Sequence, residues 1–220
     1  MKRIVIFGTG DIAELADFYF RRTVDREVAA FTVDAAYLKE DRWLNRPVVP
    51  FETLEEGFSP QDYELFVALS YRKMNYVRET KVAAGLARGY ALSTYVSPRA
   101  SVFTDQIGYN CFILEDNTIQ PFVQIGNNVT LWSGNHIGHH SIVDDHVFIS
   151  SHVVVSGGVT VGRNTFIGVN ATIADHVVIA PHSLIGAGTI ILENTEAEGV
   201  YVSSASADRR KVKSTRLPKF

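Results

Sequence analysis

All seven histidines of the 220-residue chain fall between His136 and His182. A neutral imidazole can remove a proton near neutral pH, and several together can bind a metal. Three of them crowd the stretch Asn135-His136-Ile137-Gly138-His139-His140-Ser141. A second candidate site lies near the start, where Gly8-Thr9-Gly10-Asp11-Ile12-Ala13 fits G-x-G-x-x-A between a strand-like and a helix-like run. Glycines so placed let backbone amides approach a phosphate at a helix N-terminus. Asp34 closes the second strand-like run, where an acid can accept a hydrogen bond from a ribose or base. The lone cysteine, Cys111, excludes an internal disulfide and a cysteine metal cluster.

The elements that must hold these residues divide the chain in two. Residues 1–92 alternate strand-like and helix-like patterns. Lys2–Phe7, Glu27–Val33 and Glu64–Ser70 read as strands, and Met74–Arg88 as a helix. Asp11 reads as the cap of a helix running to about Arg22, Asp41–Pro50 with its two prolines as loop, and Phe51–Gly57 as a short helix. The order predicts a small parallel, Rossmann-like α/β sheet with helical crossovers. It is about half of a full dinucleotide fold, which suits a mononucleotide or nucleotide-sugar better than NAD.

The second half has a different rule. From Ile107 to Ile191, every sixth residue is Ile, Leu or Val, fifteen times in succession. Those types make up 55 of 220 residues, so chance placement gives such a run odds of roughly one in 10⁹. Small or medium residues sit two places earlier, and glycine recurs one place later at Gly108, Gly126, Gly138, Gly162, Gly168 and Gly186. Residues two apart on a strand share a face, so both inward positions of each unit are accounted for. Three units make an 18-residue triangular coil, with glycine expected to supply special backbone angles at the corners. A narrow aliphatic interior also explains why Asp105–Leu192 holds seven charged residues and a single cation, Arg163.

Coil geometry sorts the histidines. His140, His146 and His152 each sit three places after an aliphatic, so they fall on three different edges and cannot meet within one chain. A single-chain zinc site is therefore not expected. Asn128, His146, Asn164 and His182 share one edge as a polar ladder, read as structural. Trp132 points outward and needs a cover, either a subunit interface or a sugar. The N-terminal domain is expected to cap one end of the stack. The other end closes after Glu193, with Glu196–Val202 as a final strand and Asp208–Phe220 as a loose basic tail.

Composition excludes other classes. The net charge is −3 and the long second half lacks a basic footprint, which argues against nucleic acid. No apolar run approaches the ~20 residues of a membrane span. The apolar run after Met1-Lys2-Arg3 is too short for a signal peptide, so the expected compartment is the cytoplasm.

The period-six array is similar to that of the left-handed β-helix, or hexapeptide-repeat, acyltransferases. Together with Phe7-Gly8-Thr9-Gly10, the Asn135–Ser141 segment and the domain order, the chain resembles the nucleotide-sugar branch, of sialic acid O-acetyltransferase and UDP-amino-sugar N-acetyltransferase type. The resemblance implies an α/β domain (residues 1–92) that holds the nucleotide-sugar, with Gly8, Gly10, Asp34 and Ser70 as its contacts. Residues 93–195 are the left-handed parallel β-helix, and residues 196–220 a cap and tail. It implies acetyl-CoA as acyl donor, bound between subunits of a homotrimer, with no resident metal. His139 matches the general base, and His140 stands where the family has an acid that orients it. Asp144, Asp145 and His136 are other candidates for that orienting role. Gly157, 18 residues after His139, matches a family glycine that leaves room for the thioester. Gly158, Asn170 and Ala187 are expected along the pantetheine groove. The family's Gly-x-Pro-Ala-type turn is replaced by Val202-Ser203-Ser204-Ala205. Arg209, Arg210, Lys211 and Lys213 could meet CoA phosphates or remain solvated. The reaction is transfer of an acetyl or short acyl group to the amino group of a nucleotide-linked amino-dideoxy sugar. The alternatives are sugar O-acetylation, a non-enzymatic nucleotide-sensing scaffold and, least favoured, a hexapeptide-type carbonic anhydrase.

Overall fold

The computed structural model describes residues 2–203. Its first part contains β1 (Arg3–Phe7), α1 (Asp11–Thr23), β2 (Val28–Val33), β3 (Arg42–Trp43), β4 (Arg46–Pro50), α2 (Leu54–Gly57), β5 (Tyr63–Val67) and α3 (Tyr76–Ala87). The sheet order is β3-β4-β2-β1-β5, parallel except for β3. β1 is buried between its two neighbours, as its continuous run Ile4-Val5-Ile6-Phe7 requires. α1 carries Asp11 and Glu14 in its first turn and Arg21 and Arg22 in its last, complementing the helix dipole. Two sequence expectations change here. Gly10, not Asp11, is the N-cap of α1, and it uses no side chain to do so. Asp41–Pro50 is not loop but contains the β3–β4 hairpin. Its prolines are tolerated because they lie toward the sheet edge and at the strand's last residue.

Two-residue strands six apart then wind a three-faced left-handed parallel β-helix. One face stacks the strands beginning at Tyr95, Phe112, Thr130, Phe148, Phe166, Leu184 and Val200. The second stacks those beginning at Ser101, Thr118, His136, Val154, Thr172 and Ile190. The third stacks those beginning at Gln124, Ile142, Thr160 and Val178. Partners in the regular part are 18 residues apart, as in His136↔Val154 and Phe148↔Phe166. The array starts earlier than the sixfold count shows, because the first coil is one residue short: Tyr95 pairs with Phe112. Val200–Tyr201 closes it by pairing with Leu184–Ile185. The interior is a dry column of fully buried aliphatics, among them Ile137, Val155, Ile173, Val161 and Ile179.

The corners obey a rule of their own. From Asn110 to Gly188, every sixth residue has a positive φ. Five of these are histidines (His140, His146, His152, His176, His182), four are asparagines and three are glycines; Asp116 and Phe122 complete the set. Asn, Asp and His are the side chains that best tolerate this left-handed region, so most of the histidine enrichment is backbone chemistry. The repeating glycines one place after the aliphatic serve a different purpose from the one expected. A Cβ on Gly138 would lie 2.5 Å from the backbone of Ser156 in the next coil, so they are there for close stacking.

The N-terminal domain lies along the first face rather than capping an end. Tyr71 packs on Phe148 and Phe166, while Tyr95, Phe112 and Leu114 join the core beneath α1. Trp132 is partly covered there too, packed against the same core and beside Phe148. Asp208–Phe220, with Arg209, Arg210, Lys211 and Lys213, lies outside the described residues.

Candidate active site

The N-terminal candidate sits where the chain reverses direction in the sheet. β2 and β4 lie to one side of β1 and β5 to the other, and ligands of open α/β sheets bind at such switch points, beyond the strand ends. A cavity of about 240 Å³ opens there, lined by Gly8, Thr9, Asp34, Ser70, Arg72 and Lys81, among others. Gly8 has φ +126, and a Cβ on it would meet the Ala68 carbonyl oxygen at 2.9 Å, so no other residue fits. Gly8, Asp34 and Ser70 thus share one cavity, whereas Gly10 at the helix cap lies outside its lining. Asp34 is not free: Lys81 Nζ donates to its Oδ1 at 2.5 Å and sits 5.4 Å above the Phe7 ring. Sequence reading missed Lys81. Its spacing of four from Val77 on α3 puts both on the cavity side.

The second candidate is the corner after His136–Ile137. His139 and His140 are exposed, and their Nδ1 atoms lie 3.1 Å apart. One Nδ1 must therefore carry a proton and donate to the other. The His139 backbone is fixed on both sides: its N–H donates to Gln120 Oε1 at 2.8 Å, and its carbonyl accepts from Gly158 N–H at 2.8 Å. Its ring lies over Gly157, where a Cβ would come within 2.7 Å of Cε1 and 2.9 Å of Nε2. His139 has ordinary backbone angles, unlike the corner histidines, so the corner rule does not account for its residue type. No hydrogen bond joins it to Asp144, Asp145 or His136. Asp145 Oδ1 instead accepts from the Asn127 N–H at 2.6 Å, and burial together with the Asp145 charge pushes the Asp144 carboxyl up. These two acids and Arg163 line a separate groove of about 530 Å³ over the third face. Gly158 shares the edge of His139. Asn170 and Ala187 are exposed on a different edge, between the first and second faces. Among the described residues, no His, Cys, Asp and Glu side chains gather as a metal-ligand set.

The third edge is closed by the N-terminal domain. Val67 N–H donates to Asn110 Oδ1, Asn110 Nδ2 to Asn128 Oδ1, and Asn128 Nδ2 to His146 Nδ1, at 2.7 to 2.9 Å. His146 Nε2 then lies 3.5 Å from Glu79, which also takes Asn164 Nδ2 and Arg163. Burial lowers the His146 pKa, with Glu79 opposing. Arg78 is fully buried and has no carboxylate partner among the described residues. It donates to Thr130 Oγ1 and to the carbonyls of Asn128, His146 and Val147, and burial drags its pKa down to about 10.

A triangular coil with period-18 stacking and an α/β domain on one face defines the fold as a left-handed β-helix joined to a small α/β domain. Residues 122–157 and 158–193 match the family model "Bacterial transferase hexapeptide (six repeats)", so the coil is an array of that type. No curated protein matches the chain by sequence. Among solved structures, a His-to-Asn mutant of perosamine N-acetyltransferase from Caulobacter crescentus, in complex with CoA and GDP-perosamine, is similar. It has a TM-score of 0.82 and 22% identity, over 92% of this chain and 94% of that one. The acetyltransferase domain of PglB from Neisseria gonorrhoeae aligns with a TM-score of 0.81 and 18% identity, over 92% and 97%. WeeI from Acinetobacter baumannii aligns with a TM-score of 0.63 and 15% identity, over 86% and 96%. Over nearly the whole chain the fold is therefore shared with perosamine N-acetyltransferase and the acetyltransferase domain of PglB. No helix among the described residues is long and apolar enough to cross a membrane.

Proposed function

We propose that this protein transfers an acetyl or short acyl group from acyl-CoA to the amino group of a nucleotide-linked sugar, with His139 as general base. The observation that carries the reading is the exposed His139 ring, seated over Gly157 and hydrogen-bonded to His140. Similar folds hold CoA together with a nucleotide-linked amino sugar, which supports the substrate classes.

The chemistry asks little of the protein. A neutral sugar amine attacks the thioester carbonyl, and its proton passes to His139 Nε2 as the C–N bond forms. For that, Nδ1 of His139 must carry the hydrogen and donate to Nδ1 of His140. The tetrahedral oxyanion needs a backbone donor, and the Gly157 N–H beside the ring is the candidate. Collapse breaks the C–S bond, and the imidazolium returns the proton to the departing thiolate. The products are the N-acyl sugar and free CoA, and the base is regenerated.

Geometry supports an assembly. The N-terminal domain packs on the first face, while His139 stands at the edge between the other two, so a nucleotide-sugar in the Gly8–Asp34–Ser70 cavity lies across the coil from the His139 of its own chain. A second copy of the chain resolves this by bringing its cavity to that edge. A homotrimer would also juxtapose the Asn170–Ala187 edge of one copy with the Gly157–Gly158 edge of the next, giving acyl-CoA a groove between them.

The test is acetyl transfer to a panel of UDP-, dTDP- and GDP-linked amino sugars, followed by His139→Asn. The variant should keep its fold and lose ~10²–10⁴-fold in kcat, the usual worth of a general base. Transfer to no sugar, or an unchanged rate in His139→Asn, overturns the proposal.

A further inference from the structure

We infer that Phe122 is a positioning residue for the His139 base, acting through His140. The inference rests on the proposed role of His139.

Phe122 occupies one of the left-handed corners, with φ +66. The thirteen others from Asn110 to Gly188 are Gly, Asn, Asp or His, the types that suit this conformation. A bulky side chain there is an outlier, and strain of this kind gathers where function needs it. Burial within its own chain does not compensate for it, since the residue is 66% exposed there. Its aromatic partner is His140, one coil later on the same edge, with ring centroids 4.7 Å apart and planes 34° from parallel. His140 in turn meets His139 at right angles, Nδ1 to Nδ1.

The three rings form a chain with a purpose. A carboxylate orienting a histidine has two equivalent oxygens and tolerates rotation. An imidazole has one acceptor on the edge that faces its partner, and a half-turn of the ring replaces Nδ1 by a C–H. A histidine in the orienting position therefore needs its ring plane held from outside. The Phe122 face holds it, the hydrogen bond selects the edge, and His139 is kept as the Nδ1–H tautomer with Nε2 free to act as base. Loss of the correct tautomer is costly wherever a histidine serves as a base.

The test uses Phe122→Asn and Phe122→Gly, which suit the corner, and Phe122→Tyr, which keeps the stack. Asn and Gly should fold at least as stably as the wild type, yet lose about tenfold in kcat, a fraction of a general base's worth. KM for acetyl-CoA should stay within about twofold, and Tyr should restore kcat. Imidazole ¹⁵N shifts should show His139 as the Nδ1–H tautomer in the wild type and in Phe122→Tyr, and as a mixture in Phe122→Asn. Unchanged kcat in both Asn and Gly overturns the inference. So does a fall in kcat with the His139 tautomer intact, which would put Phe122 on the substrate instead. If His139→Asn retains activity, the proposed base itself is wrong; if that variant is dead and Phe122→Asn is normal, only the present inference fails.

Discussion

Two edges of the same coil are built from the same left-handed corner and end up with opposite properties. On the edge between the third and first faces, Asn110, Asn128, His146 and Asn164 are buried, joined into a ladder and clamped by Arg78 and Glu79 from α3. On the edge between the second and third faces, Phe122, His140 and His176 are exposed, and His139 stands free beside Gly157. Phe122 apart, the corner residue is chosen by backbone conformation in both places. What separates them is the cover. Under the N-terminal domain a histidine is a neutral hydrogen-bond relay that joins two domains. In the open, a histidine one residue from the corner is available to a substrate.

Removing the cover should break the comparison most. Among the described residues, Arg78 is the one side chain that donates to the carbonyls of Asn128, His146 and Val147 and to the Thr130 hydroxyl. Arg78→Met fills similar volume but leaves the Asn128 and His146 carbonyls without their donor, at ~1–3 kcal/mol for each that finds no water, while Val147 keeps its bond from the Thr130 N–H. A loss of about 3 kcal/mol in unfolding free energy is expected, read by urea denaturation. A loss below ~0.5 kcal/mol would mean that the clamp is not what holds the domain to the coil.

Gly157→Ala sharpens the other side. Gly157 has no need of a positive φ, and the three atoms nearest the added methyl all belong to the His139 ring, an exposed side chain that can swing away. Stability should hold while His139, the proposed base, is displaced. A shift of about 1 Å in a reacting group costs ~10²-fold in rate, so kcat should fall by about that factor with Tm unchanged. A fall in Tm of several degrees would mark the glycine as a stacking residue like Gly138.

The contrast also explains what could be read in the sequence. Fifteen aliphatics at one spacing specify a coil because only one winding buries them all, and Ile137 and Val155 are indeed stacked neighbours. The corner rule was present too, as Asn, His and Gly at period six, but it registers only once these types are recognised as left-handed formers and not as reactive groups. That Gly8, Asp34 and Ser70 lie close together was legible because each follows a strand of one parallel sheet. Lys81 and Phe122 were not, since a lysine on a helix and an aromatic in a strand-rich segment each have commoner meanings. The placement of the N-terminal domain was misread because sequence order suggests an end cap. The outward Trp132, Phe148 and Phe166 were the signs of a covered face.

The smallest expected effect separates the two kinds of histidine by pH. His146 is buried against Asn128 and Glu79, and burial holds its pKa below the ordinary value. In the unfolded chain the same imidazole takes up a proton as pH falls through ~6.5. Just below that point the unfolded state binds more protons than the folded one, so stability is present in full above it and is lost as pH falls. Asparagine tolerates the same corner, as Asn128 and Asn164 do, and its Oδ1 can accept from Asn128 in place of Nδ1. His146→Asn should therefore keep the fold and flatten the decline in Tm between about pH 7 and about pH 5.5, by ~2 °C or less for a chain of this size. A decline as steep as the wild type's would show that the covered edge does not carry the titration, and that its histidine differs from the exposed ones in packing alone.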